Sequence, residues 1–181
     1  MNFEDFDRSI ASTDLKAIAQ HWNSARGKNL IPRWTDIRPA PIARQLGIVW
    51  CYFYDPDQDD FVGRLGGEGI TRFLGRSMKG ARLSELTSIF DRDHLALQLK
   101  RVMQEPALFS VFGPIFIQGE EYGVGEQIIM PLASDGIVGD GVIGATDYKT
   151  RRNLPSELEQ LVEKAHWVSL TRAKSDVERS N

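Results

Sequence analysis

Residues 64–86 read RLGGEGITRFLGRSMKGARLSEL, with Gly66, Gly67, Gly69, Gly75 and Gly80 threaded among Ile70, Phe73, Leu74, Met78, Leu83 and Leu86. No long helix or strand survives that density of glycine, yet the apolar residues must still be buried. One strand therefore has to end here, and several brief helical turns must follow before regular structure resumes. The stretch reads as a strand running into the wall of a pocket, its glycines hinging a segment expected to move when the pocket fills.

The flanking chain supplies regular elements on both sides. Leu15, Ile18, Ala19, Trp22 and Ala25 recur at three-to-four spacing after a Ser12 or Thr13 cap, and Gly27 stops the run, so an amphipathic helix is expected there. Residues 1–11 are mostly polar and are expected to form a mobile lead with Phe3 and Phe6 packing loosely. Prolines at 32, 39 and 41 mark an irregular connector, with a short helix over residues 41–46. Residues 47–54 (GIVWCYFY) read as a buried strand, turned by DPDQDD into a partner over residues 60–65. A helix over residues 91–104 carries Leu95, Leu99, Val102 and Met103 on one face. Strands follow over 108–117, 122–132 and 138–148, the last two joined around Ser134, Asp135 and Gly136. Pro155 then opens a helix with Leu158, Leu161, Val162, Ala165 and Val168 along one side. Two strands and then three, separated by helices, suit an α+β antiparallel sheet with helices on one face.

Charge and cysteine usage exclude several classes. The net charge is −3 with Lys and Arg scattered, which does not make a nucleic-acid footprint. Cys51 is the single cysteine, so neither an internal disulfide nor a thiolate metal cluster can form, and a reducing compartment is expected. The acidic start MNFEDFDRSI is unlike a signal peptide, and no apolar run approaches the ~20 residues that span a bilayer. A cytoplasmic protein without membrane contact is the expectation.

Motif fragments fail on context. Residues 75–80 (GRSMKG) open like a phosphate-binding loop, but Ala81 and Arg82 stand where Lys and Ser/Thr must reach phosphate and magnesium. Gly139, Gly141 and Gly144 match a dinucleotide fingerprint literally, at a turn into a strand and not before a helix. The acidic run 55–60 lacks the glycine and glutamate of a calcium loop. His21, His94 and His166 stand alone on predicted helices without metal-ligand spacing, so no metal is expected. Cys51 reads as a small buried hydrophobe, and the pairs Glu120/Glu121 and Asp91/Asp93 as turn and helix-start acids.

Taken together, the pattern Trp22-x-x-x-Arg26-Gly27, Leu30-x-Pro32, Asp36-Ile37-x-Pro39 and Leu46 resembles the PAS superfamily, in particular a bacterial subfamily first catalogued as a domain of unknown function. The resemblance continues through Arg64-Leu65-Gly66-Gly67, then Phe73-x-Gly75, Gly80-x-x-Leu83-x-x-Leu86, Met130-Pro131-Leu132 and Asp135-Gly136, covering roughly residues 15–148. Trp34 departs from it, standing where an arginine is expected, as does Gly66, where a small residue such as alanine is usual.

The resemblance implies a five-stranded antiparallel sheet of order 2-1-5-4-3, with the 64–86 segment and the 91–104 helix over its inner face. It implies a sensory or regulatory module, not an enzyme, that holds a small ligand between sheet and helices and dimerises through flanking helices. Residues 1–46 then form an N-terminal helical extension, 47–150 the core, and 151–181 a C-terminal helix and tail. After Tyr148 only ~30 residues remain, against the ~100 that an output domain needs, so any signal is expected to leave by contact with a partner protein. Leu15, Ile18 and Trp22 are the expected homodimer surface, although the same stripe could pack on its own sheet.

For the ligand, Arg64, Phe73, His94, Gln127 and Thr146 are the expected contacts, and the cofactor is left unknown. A light-sensing flavin-adduct site would need a cysteine after the second strand, and none is there. In haem-containing relatives the ligating histidine lies on the long core helix, and His94 occupies its start, where a capping or solvent-facing role is the simpler reading. The alternative is a small-molecule enzyme in the same pocket, pairing His94 with Asp91 or Glu126 as acid and base.

Overall fold

The computed structural model describes residues 2–153 and 165–170. Six antiparallel strands form one sheet of order β2-β1-β5-β4-β3-β6: β1 Val49–Asp55, β2 Asp60–Gly66, β3 Ala107–Gln118, β4 Glu121–Leu132, β5 Gly141–Arg152 and β6 His166–Ser169. The order 2-1-5-4-3 expected for five strands is present, and β6 is added to it at the β3 edge. β5 starts at Gly141, three residues after its expected start, because the acidic turn around Asp135 runs longer: the Asp135 carboxylate accepts from the backbone N–H groups of Ile137 and Val138 at 2.7 and 2.9 Å.

The expected helix from Pro155 is corrected where it can be seen. Its first part, residues 155–164, lies outside the described residues, and 166–169 form β6, not helix. The HWVS sequence pairs with β3 and sends Trp167 onto Phe109, with ring centroids 4.3 Å apart, under the Arg101 guanidinium at 4.2 Å. Cross-strand aromatic packing of that kind outweighs a helical spacing shared with only a few residues.

Helices cover both faces, not one. On the inner face α3 Glu68–Leu74, the 3₁₀ turn Leu83–Glu85 and α4 Arg92–Gln104 bury Ile70, Phe73, Leu83, Leu99 and Val102 against Trp50, Tyr52, Phe109 and Ile129. Gly75 ends α3 at φ +68°, a left-handed conformation that glycine adopts without strain. The outer face carries α1 Phe3–Ser9, α2 Thr13–Arg26 and a kinked 3₁₀ segment Ala40–Ile48, packed on Val49, Leu108, Ile128, Met130 and Ile143.

Residues 3–9 are therefore a docked helix and not a mobile lead. Asn2 and Asp5 cap it reciprocally, each side chain accepting from the other's backbone N–H, and Phe6 and Ile10 are buried. Leu15, Ile18 and Trp22 are 0, 1 and 0% exposed within the chain itself, so the expected dimer surface is corrected: these side chains already cover their own sheet. The Trp22 indole N–H donates to the Pro131 carbonyl at 2.9 Å, which fixes the crossing point of α2 on β4. Among the described residues no helix is long and apolar enough to cross a membrane.

Candidate functional site

Strand alternation divides the expected ligand contacts between the two faces of the sheet. Trp50, Gln127, Thr146 and Tyr148 point inward, whereas Val49, Cys51, Ile143 and Leu132 point outward. Of the five residues expected to line one pocket, Phe73, Gln127 and Thr146 do meet on the inner face. Arg64 lies on the outer face, and His94 sits at an exposed rim beside Asp91 and Gln98, in a recess of about 130 Å³ whose inner end Gln127 also lines.

The inner space is filled by the protein. Phe73 stacks on Phe116 at 5.0 Å, and Tyr148 stands edge-on to both while its hydroxyl donates to the Gly69 carbonyl at 2.7 Å. The Trp50 indole N–H donates to the Thr146 hydroxyl oxygen at 2.9 Å, and the Gln127 amide donates to the same oxygen at 3.2 Å. The two polar residues expected to anchor a ligand thus satisfy one another and an indole. Opposite Trp50 stands Gly144, where a Cβ would lie 2.2 Å from the ring. What remains empty is about 30 Å³ at the centre, room for a water, and about 130 Å³ in the adjoining recess at the rim, together below the ~300 Å³ at which small-molecule pockets begin. A haem or flavin does not fit this face as it stands.

The large cavity lies on the opposite side. About 640 Å³ opens between the β1–β2 half of the outer face and a roof made by Trp34, Ile37, Ile42 and Leu46. Its position follows from the sheet cover: α1 and α2 lie over β3, β4 and β5, and only the thin 34–47 segment crosses β1 and β2. The floor is Val49, Cys51, Leu132 and Ile143, and Arg64 with Leu65 forms one wall.

A bulge builds that wall. Register shifts between Cys51 and Tyr52, opposite Leu65 and Gly63, leaving Arg64 unpaired, so Arg64 and Leu65 both line the cavity where a regular strand would send them to opposite faces. Trp34, the departure from the family pattern, receives the Arg64 guanidinium 4.8 Å above its ring. Its own indole N–H donates to Asp140 at 2.7 Å, and Asp140 also accepts from the Ser134 backbone N–H at 2.9 Å. Sequence reasoning named Arg64 but missed Trp34 as its support, although the exchange of arginine for tryptophan was the available signal.

Cys51 in the floor is held protonated. Burial pushes its thiol from 9.0 up to about 12, against a small opposing pull from Arg64. The folded state therefore binds this proton more tightly than the unfolded chain, so its contribution is complete below pH ~9 and is lost as pH rises toward 12. Cys51→Ala should accordingly flatten the alkaline fall in urea midpoint relative to wild type across that window, while the two curves run parallel between pH 6 and 8. Parallel curves throughout would show that Cys51 is solvated.

The acid–base pairings are not assembled. Glu126 is on the outer face, with its carboxylate accepting from the Ala11 and Ser12 backbone N–H groups at 2.8 to 3.1 Å, on the other side of the sheet from His94. Between His94 and Asp91 the hydrogen bond is a helix cap, the His94 backbone N–H donating to the Asp91 carboxylate at 3.2 Å. Among the described residues no three His, Cys, Asp or Glu side chains converge as metal ligands would.

Among known proteins, the family model described as the PAS domain matches residues 10–146. No curated protein matches the chain significantly. A solved structure titled as an RNA-binding light-oxygen-voltage receptor is similar at 19% identity and a TM-score of 0.39, over 62% of this chain and 33% of that one, so the chain spans about a third of the receptor's length.

Proposed function

The chain belongs to the PAS domain family, and from that premise we propose that it is a sensory or regulatory module that takes a small ligand on the outer face of its sheet and passes the signal on by contact. The observation that carries this reading is the contrast between the two faces: about 640 Å³ of apolar cavity outside, against spaces of about 30 and 130 Å³ inside. A cavity of that size, mostly apolar with few polar groups, is what a metabolite-sized molecule needs.

The cavity roof supports a route outward. Gln45, in the 3₁₀ segment that carries Ile42 and Leu46, donates to the Asp14 carboxylate of α2 at 2.9 Å. A ligand that lifts or tightens the roof therefore acts on α2 and on whatever protein reads its surface, whether a second copy of the chain or a different signalling protein. The single buried cysteine is in keeping with a reducing cytoplasm.

Native mass spectrometry of the full chain purified under mild conditions tests the reading, paired with a thermal-shift screen of metabolites. The expected result is a retained small molecule, or a compound that raises the melting temperature by mass action, ~2.7 kcal/mol at a hundred times its dissociation constant. A bare mass together with no stabilising compound would leave the module a pure interaction domain. Light scattering with and without the compound then tells a homodimer from a monomer that awaits another protein.

A further inference from the structure

We infer that the outer cavity takes an amphiphilic monocarboxylate, its apolar body on Val49, Leu132 and Ile143 and its carboxylate on Arg64. This rests on the reading of that cavity as the ligand site, and it adds the chemical class of the ligand.

The argument begins with the charge. Two charged residues line the cavity, Arg64 and Glu68. Glu68 is turned to Arg72, with which it forms an ion pair at 3.0 Å on the surface of α3. Arg64 has no carboxylate within ion-pair distance among the described residues, so one positive charge at the mouth is uncompensated.

Geometry makes that charge a receptor. The guanidinium rests 4.8 Å over the Trp34 ring and, among the described residues, none of its N–H groups donates to a protein acceptor, which leaves free the fork that matches a carboxylate with two parallel hydrogen bonds. Trp34 is itself held by Asp140 at 2.7 Å, so the platform is already in place before a ligand arrives. The bulge at Arg64 turns this side chain to the cavity wall beside Leu65, which puts the cation at the edge of an apolar chamber.

The remaining lining selects what hangs from the anion. The floor is aliphatic, and the Cys51 thiol within it stays neutral, so nothing deep in the cavity rewards a second polar group. A phosphate monoester would bring nearly two negative charges to one arginine with Glu68 nearby, which disfavours it against a single carboxylate.

Sodium decanoate is a suitable probe, with decanol and decyltrimethylammonium as matched neutral and cationic controls. Calorimetric titration gives affinity, and shifts of the backbone amide resonances of Val49, Cys51 and Ile143 give location, since these residues line the cavity. Decanoate is expected to bind and shift these resonances, Arg64→Gln to weaken it by about tenfold or more, and Arg64→Lys to fall between, because Lys offers charge without the fork. Decanol should bind more weakly and equally to wild type and Arg64→Gln. If decanol binds there as tightly as decanoate does, or Arg64→Gln binds decanoate unchanged, the carboxylate class is wrong while the cavity survives as a ligand site. If none of the three probes shifts these resonances, the inference and the ligand-site reading beneath it both fall.

Discussion

Trp50→Ala is expected to lower stability by about 3–5 kcal/mol, a large share of the 5–15 kcal/mol that holds a typical domain together. The indole is 3% exposed, packs edge-on to Tyr52 at 5.7 Å, and lies over Gly144 so closely that no other residue type could stand beneath it. Truncation removes the transfer energy of the ring and leaves a void that these neighbours cannot collapse into. It does not orphan Thr146, whose hydroxyl oxygen keeps the Gln127 amide at 3.2 Å, so the loss is one of packing more than of hydrogen bonding. The discriminating measurement is rescue: indole at millimolar concentration should raise the melting temperature of the variant and leave wild type unmoved, because only the variant has an inner cavity of the right size. A urea-derived loss below ~1.5 kcal/mol, or no response to indole, would mean that the inner face is looser than the packing implies.

The same tryptophan shows why the fold was readable and the pocket was not. The run GIVWCYFY announces a strand by its β-branched and aromatic content, but it shows no apolar–polar alternation, because β1 is buried on both faces along its first half. Without alternation nothing tells which residues face which layer, so Trp50 could not be recognised as the plug of one pocket, nor Cys51 as the floor of another. Gln127 and Thr146 do face each other across β4 and β5, and Phe73 of α3 packs over the same face. Arg64 was misassigned to that group because a β-bulge, which depends on partner register, decides its direction.

At the chain ends the misreadings have different causes. α1 has only seven residues and buries little beyond Phe6, so periodicity is weak there, yet the reciprocal cap Asn2-x-x-Asp5 was legible as a helix start. For β6, Ala165 and Val168 continue the helical spacing of the preceding residues, and only contact with Phe109 and Arg101 distinguishes a strand at that position. The N-terminal stripe of Leu15, Ile18 and Trp22 was plain as an apolar face, but a stripe does not name what covers it. The outer face of the sheet was the nearest apolar surface and took it.

Beyond the apolar packing of that cover, Glu126 ties its α1–α2 junction to the sheet, and its removal is expected to loosen the N-terminal helices while the sheet stays folded. This carboxylate is 9% exposed on β4 and accepts from the Ala11 backbone N–H at 2.9 and 3.1 Å and from that of Ser12 at 2.8 Å. Among the described residues no Lys or Arg lies within ion-pair distance of it, so backbone dipoles at the start of α2 hold the charge. Beside it Ser12 caps α2 and donates its hydroxyl to Asp147 at 2.6 Å, and Ser9 bonds Ser110 at 2.9 Å, so the α1–α2 junction is tied to β3, β4 and β5 at once. Hydrogen bonds to a charged group contribute about 1.5–3 kcal/mol each, and their non-additivity puts Glu126→Ala near a loss of ~3 kcal/mol. Glu126→Gln keeps an acceptor without the charge and should lose ~1 kcal/mol. Hydrogen exchange is the decisive measurement: Glu126→Ala should lose amide protection at residues 11, 12 and through α1 while Ile128 and Ile129 in β4 keep theirs. Equal behaviour of the Ala and Gln variants, or an even loss across the sheet, would make Glu126 an ordinary core residue. The selective outcome would instead mark the helical cover as a unit that opens on its own, beside the cavity whose roof is bonded to α2 through Gln45 and Asp14.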